Sequence, residues 1–261
     1  MAKKKRVDAI SDPHCGHRTG LTPPKYDPKP SDPELLVWWY VRRALWREYL
    51  RMVKQHGPAD ILFVLGDCID GRGEKSGSTE LLYTDRKIQC AMAADCINMW
   101  KAKKIVMVFG TAYHVGAKED WESQISEKVG ADAIGDEEFV RVDDVTFSLK
   151  HHISSSGIPH GKGTPIAKDW LWNLVWNLRD QQPLADIFLR GHQHSFDYVG
   201  NDSFLGMTLP ALQGLGSKFG SRIPSKRVDF GTVWFDVWGD KYIWDRDIVA
   251  IKEEKAKVLQ F

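Results

Sequence analysis

A chain of 261 residues, 43% of them hydrophobic, can bury one substantial core, and a single domain spanning 1–261 is expected. Its formal net charge of +1 gives no overall field to draw it to nucleic acid or to a membrane surface. No apolar run approaches the ~20 residues that a bilayer span needs, so no membrane association is expected.

The basic run Lys3-Lys4-Lys5-Arg6 has no apolar signal segment behind it. It reads as a solvated lead into the first strand rather than as a nuclear address or a phosphate-binding arm. Residues 7–10, VDAI, are that strand. A helix is predicted over 32–55, opened by Asp32 and Pro33, with apolar residues at three- and four-residue steps, and closed by His56-Gly57-Pro58. Its basic polar face reads as solvated. A strand at 61–65, a second helix over 81–103 and a strand at 105–109 follow. Further strands at 145–149 and 186–189 flank a third helix over 166–181, stopped by Pro183. Strands alternating with helices predict an α/β fold with a parallel or mixed sheet. Beyond residue 195 the pattern turns to strand pieces and tight turns, so the C-terminal part, 195–250, reads as antiparallel and as a second sheet packed on the first.

What stands just after each apolar run carries the chemistry. The first strand is followed by Asp12-Pro13-His14, the second by Gly66-Asp67-Cys68-Ile69-Asp70, and the third by Gly110-Thr111-Ala112-Tyr113-His114. Residues 145–149 lead to Lys150-His151-His152, and 186–189 to Gly191-His192-Gln193-His194. Six of the nine histidines fall in these stretches. Open α/β sheets bind ligands beyond the carboxyl ends of their strands, so five strand ends deliver imidazoles and carboxylates to one rim. Such a rim, without thiolates, suits divalent transition metals. The donors are too many for one tetrahedral ion, and a shared Asp could bridge two ions ~3.5–4 Å apart. Any one pair alone would be an ordinary loop. The ordered set is specific.

At these residues, from Asp12 to His194, the sequence resembles the calcineurin-like metallophosphoesterases, whose pattern is Asp-x-His, Gly-Asp-x-x-Asp, Gly-Asn-His-Asp/Glu, a later His, then Gly-His-x-His. The resemblance implies an αββα fold, two mixed β-sheets sandwiched between helices. It implies two divalent cations, manganese foremost, with zinc, iron or nickel as alternatives. It assigns Asp12, His14 and His194 to one ion, Asp67 to both, and His192 with His151 or His152 to the second. His151 is preferred, because the family's ligand usually comes first after its strand, and His152 then supports a ligand from behind or faces substrate. The third block departs from the pattern: Thr111 stands where the family has its Asn ligand, offering a hydroxyl or holding a water. His114 lies three residues beyond Thr111 and reads as the family's catalytic histidine displaced along its loop, against the plainer reading of a loop histidine with no role.

The implied reaction is hydrolysis of a phosphate ester by a hydroxide bridging the two ions, with His114 protonating the leaving oxygen and Asp70 orienting His114. Arg72 is a candidate clamp on a phosphoryl oxygen, although Gly71 intervenes where the family's similar Arg often directly follows the Asp. A phosphodiester, from nucleic acid or a nucleotide, is the expected substrate. A phosphomonoesterase or protein phosphatase is the alternative within enzymes, and a catalytically impaired binding scaffold the alternative outside them. His160 and Lys162, in the polar loop 151–165, are candidate phosphate contacts or ordinary surface residues. The eleven tryptophans read mainly as core packing. Cys15, Cys68, Cys90 and Cys96 lack CxxC spacing, and reduced thiols in a cytoplasmic protein are expected.

Overall fold

In the computed structural model, which describes residues 3–116, 119–216 and 227–250, side-chain alternation in the first strands sets the architecture. Residues 217–226 of the strand-rich C-terminal part, and 251–261 at the end of the expected domain, lie outside the described residues. In β1 (Lys5–Ile10), β2 (Ile61–Leu65) and β3 (Lys104–Val108), Val7, Ala9, Phe63, Leu65, Val106 and Val108 pack to one side. Ile10, Leu62, Val64, Ile105 and Met107 pack to the other. Successive strand residues point to opposite faces, so a strand apolar throughout is covered on both.

The helix-side layer is α1 (Pro33–His56), α2 (Arg86–Asn98) and α4 (Trp121–Val129), which contribute Leu45, Tyr49, Met52, Met92, Cys96 and Ile125 to one core. A single helical turn, α3 (Ala112–Val115), follows β3. The opposite face of these strands meets a second sheet built of β5 (Glu137–Val142), β6 (Val145–Lys150), β7 (Ile187–Arg190), β8 (Asp197–Asn201) and β9 (Phe204–Thr208). Phe147 joins the two sheets, with ring centroids 5.3 Å from Phe63 and 5.2 Å from Phe235. The last helix, α5 (Thr164–Asn177), covers the outer face of that second sheet, where Trp170 stacks on Phe204 at 4.3 Å. The result is an αββα sandwich.

With β4 (Ala133–Gly135), β10 (Phe230–Trp238) and β11 (Lys241–Val249), the first sheet has the order β11-β10-β1-β2-β3-β4, and the second β5-β6-β7-β9-β8. β1 to β4 are parallel, as are β6, β7 and β9. All five strands followed by the histidine- and aspartate-bearing stretches belong to these parallel sets.

Several elements differ from the sequence expectation. The C-terminal strands are divided: β8 and β9 complete the second sheet, whereas β10 returns to pair antiparallel with β1 and extends the first. α2 begins at Arg86 rather than 81, because the Asp85 side chain accepts the Lys87 N–H at 2.8 Å and Leu82 N is held by Gly16 O at 2.7 Å. β5 escaped notice because Glu137, Glu138 and Arg141 break its apolar run, as suits an edge strand. Arg42 leaves the solvated face of α1 and is buried on Asp27, with Nε and Nη2 at 3.1 and 2.8 Å from Oδ1. Trp172 and Trp176 are exposed, not core, because Ile166 and Trp170 already fill the face of α5 that meets the sheet.

One strand residue works against the fold. Asp8, in the middle of β1, is fully buried and neither carboxylate oxygen has a hydrogen-bond partner. Burial, opposed by Arg6 and assisted by Asp236, raises its pKa to about 8. A folded-state pKa above the unfolded value means that unfolding releases a proton between the two, so stability falls as pH rises from about 4 to about 8. Asp8→Asn keeps the shape and removes the titration. Thermal or denaturant unfolding should show the variant gaining on the wild type by about 1.4 kcal/mol per pH unit across that window; parallel stability profiles would refute the assignment.

Candidate metal centre

The candidate donors stand beyond the ends of β1, β2, β3, β6 and β7, on the seam between the two sheets. The connections after β1 and β2 prolong the strand pairing in register, with Asp12 N on Gly66 O at 3.1 Å, His14 N on Asp67 O at 3.1 Å and Cys15 N on Cys68 O at 3.0 Å. Within these tight turns Asp12, His14, Asp67, His192 and His194 all have positive φ, between 42° and 69°. Left-handed backbone costs a non-glycine residue on the order of 1–2 kcal/mol, and strain of this kind concentrates at functional sites. Gly191 is required where it stands: a Cβ there would lie 2.5 Å from Ser11 Oγ and 2.8 Å from His151 Nδ1.

Two groups of side-chain atoms converge. In the first, His194 Nε2 lies 3.1 Å from Asp12 Oδ1 and 3.2 Å from His14 Nε2, which is itself 3.7 Å from Asp12 Oδ1. In the second, Asp67 Oδ2 lies 3.1 Å from His151 Nε2 and 3.2 Å from Thr111 Oγ1. Thr111 Oγ1 is in turn 3.3 Å from both His151 Nε2 and His192 Nδ1. The groups touch at Asp67, whose Oδ2 is 4.0 Å from His14 Nε2. Asp12, His14 and His194, and separately Asp67, His151 and His192, have ligand atoms close enough to share one ion. A third such set, His14, Asp67 and His114, lies between them.

Hydrogen bonds fix which atoms face inward. His151 Nδ1 is 2.6 Å from Leu65 O, a carbonyl that can only accept, so Nδ1 carries hydrogen and Nε2 is turned to Asp67. His14 Nδ1 lies 3.1 Å from Asp70 Oδ1, which likewise turns its Nε2 to the first group. Asp12 Oδ2 accepts the His192 N–H at 3.1 Å and contacts the Ser11 hydroxyl, while Oδ1, fully buried, faces the ring nitrogens of His194 at 3.1 Å and His14 at 3.7 Å. Imidazoles oriented by a second hydrogen bond and converging on a buried carboxylate oxygen are what a cation site requires.

The electrostatics agree. Burial opposes charge on His14, yet bonding to Asp12 and Asp70 and the nearby Asp67 raise its pKa to about 10; burial likewise opposes charge on His151, yet Asp67 and Asp12 raise it to about 10. Burial pushes Asp70 upward, but His14, His17 and His114 bring it down to about 2. Burial and the charge on His151 lower His192 to about 4. A buried set of three aspartates that holds protons this firmly on two histidines is a field that calls for positive charge. Divalent cations fit it, and the oxygen and nitrogen donor set, with no thiolate, suits manganese, zinc, iron or nickel.

The remaining expected residues are placed less uniformly. His151 is buried and His152 exposed, with the His152 ring 5.0 Å from that of His192. Leu149, His151 and Ile153 are all buried, an alternation that strand parity alone could have read. His114 sits at the edge, its ring 4.5 Å from that of His14, with Nδ1 3.1 Å from the Asp70 backbone O and 3.5 Å from Asp70 Oδ1. The Asp70 carboxylate is therefore nearer to His14 than to His114. Arg72 is largely exposed and paired with Glu119 at 3.1 Å, outside both groups. His160 is exposed on the 3-10 turn Pro159–Gly161, also outside them. Sequence reading missed Glu122, a fully buried acid in the first turn of α4, since acids at helix starts are commonplace.

Fold and site together define an αββα protein with a candidate two-cation centre at the carboxyl ends of its parallel strands. No family profile and no curated protein matches the chain. Solved structures do. An archaeal phosphodiesterase is similar at 12% identity, over 94% of this chain and 99% of that one, with a TM-score of 0.47. Wild-type Vps29 of Entamoeba histolytica complexed with zinc is similar at 11% identity, over 93% and 98%, with a TM-score of 0.42. A predicted phosphoesterase of Streptococcus pneumoniae is similar at 11% identity, over 95% and 100%, with a TM-score of 0.39.

If Asp67 serves both groups, Asp67→Asn should weaken cation binding at both. Metal-stripped variant reloaded with Mn²⁺ should then retain less metal than the wild type at both positions, with affinity lower by more than about 100-fold. Two ions bound at wild-type affinity would remove Asp67 from that role. Thr111→Asn, which places a stronger oxygen donor among Asp67, His151 and His192, should tighten the second position alone, and calorimetry would detect it.

Proposed function

We propose that the protein is a metal-dependent hydrolase of phosphate esters, with phosphodiesters of nucleic acid or nucleotides as the foremost substrates. The observation that carries this reading is the Asp67 carboxylate held between two groups of ligand atoms, Asp12, His14 and His194 on one side and Thr111, His151 and His192 on the other. Two bound divalent cations, manganese foremost, would supply an activated water and neutralise charge on the phosphoryl oxygens.

The chain's own groups supply the rest. Nδ1–H of His114 donates to the Asp70 backbone O, which leaves Nε2 as the atom that carries a proton to the leaving oxygen. Burial and His14 lower the pKa of His114 in the free protein; an anionic substrate beside the ring raises it again and favours the protonated form. Asp70 serves two histidines, His114 through its carbonyl and His14 through its carboxylate. His152, exposed beside His192, is in position to meet substrate.

Charge supports a diester over a monoester. Among the described residues no Lys or Arg pairs with Asp12, Asp67 or Asp70, and Arg72 is engaged by Glu119, so no additional cation is seen there to favour a dianion. A diester carries one negative charge fewer. The four cysteines are free and buried, which suits a reducing compartment such as the cytoplasm.

Leaving-group dependence tests the role of His114. A nitrophenolate departs without a proton, whereas a sugar or alkyl alkoxide does not. His114→Ala should change turnover of bis-nitrophenyl phosphate little, but slow alkyl or nucleotide diesters by ~10²–10⁴-fold, with cation binding nearly unchanged. Equal losses on both substrates would make His114 a phosphate-binding group. Wild-type protein that binds two cations yet turns over neither mono- nor diester would refute the hydrolase reading itself.

A further inference from the structure

Glu122 is buried in the first turn of α4, and its two hydrogen bonds both reach backbone. Oε1 accepts the Cys68 N–H at 3.0 Å and Oε2 the Gly110 N–H at 2.5 Å. Cys68 directly follows Asp67, and Gly110 directly precedes Thr111. One carboxylate therefore spans the turn after β2 and the turn after β3. The same two turns meet directly where Thr111 N donates to Asp67 Oδ1 at 2.6 Å. They are in close contact: a Cβ on Gly110 would lie 2.2 Å from Asp67 N, and one on Gly66 would lie 2.6 Å from Gly110 Cα.

We propose that Glu122 is a positioning residue that sets the separation of these turns, and through it the placement of Asp67 against Thr111. This inference rests on the metal-centre reading of the site. Both oxygens of a carboxylate accept, so both N–H groups are satisfied at once. An amide in the same place offers one acceptor and turns an NH₂ toward the second donor, which opens one side of the clamp. Outer partners of this kind typically change metal affinity by about 10–100-fold when removed.

The experiment uses full-length protein, stripped of metal and titrated with Mn²⁺ by calorimetry, as wild type, Glu122→Gln and Ile125→Val. Ile125 is fully buried on the same helix and packs in the helix-side core, so its truncation reports general loosening of α4. Glu122→Gln should weaken Mn²⁺ binding by about 10–100-fold and speed amide exchange at Cys68 and Gly110. Ile125→Val should lower Tm while leaving Mn²⁺ affinity as it was. Wild-type affinity in Glu122→Gln would overturn the proposal, and so would unchanged exchange at the two amides. An equal loss of affinity in Ile125→Val would overturn it too, by making the effect one of stability. Failure of the wild type to bind Mn²⁺ would instead strike the metal-centre reading, and this inference with it.

Discussion

Everything at the rim is arranged around the Asp67 carboxylate. Its Oδ1 takes the Thr111 N–H, and its Oδ2 faces His151 Nε2 and the Thr111 hydroxyl, with His14 Nε2 just beyond. Asp67 reaches that point only because β2 is flanked on either side by parallel neighbours, β1 and β3, whose following turns deliver His14 and Thr111 at the same height. The opposing sheet closes the arrangement, since β6 and β7 carry His151 and His192 to it. Without two sheets face to face, His151, His192 and His194 would be missing.

Holding this arrangement is costly, and the structure shows where compensation comes from. Five donor residues adopt left-handed backbone, each at a cost on the order of 1–2 kcal/mol. The turns carrying them are tied together by backbone hydrogen bonds that continue the β1–β2 pairing past the strand ends as far as Cys15 and Ile69. Beneath lie two dense apolar layers, the intersheet core around Phe63, Phe147 and Phe235 and the helix-side core around Tyr49, Met52 and Trp100. Such layers resist the relaxation that would otherwise relieve strained turns.

The charge pattern has the same logic. Burial alone would neutralise Asp12, Asp67 and Asp70, but neighbouring imidazoles keep all three ionised. In exchange His14 and His151 are held protonated in the metal-free protein. These residues would hold a divalent cation in place of those protons, as a stronger positive charge. Metal binding on this reading releases protons and grows with pH.

Much of this was legible in the sequence, for a local reason. Apolar runs at 61–65 and 105–109 read as strands because they are short, β-branched and closed at once by a glycine, and the donors follow them directly. Asp32 and Pro33 start α1 by capping chemistry that needs no distant partner. The order Asp12, Asp67, Thr111, His151, His192 along five strand ends was therefore visible before any folding. Tertiary structure decided what depends on residues far apart in the chain. It divided the C-terminal strands between two sheets, because β10 finds its partner in β1, more than 200 positions earlier. It turned the Asp70 carboxylate mainly to His14 rather than to His114, and drew Arg72 to Glu119. It also brought Glu122 under both turns, through a helix whose sequence marks it only as an ordinary acidic start. Strand parity and caps are written in neighbouring residues; which carboxylate meets which donor across the molecule is settled only when the layers pack.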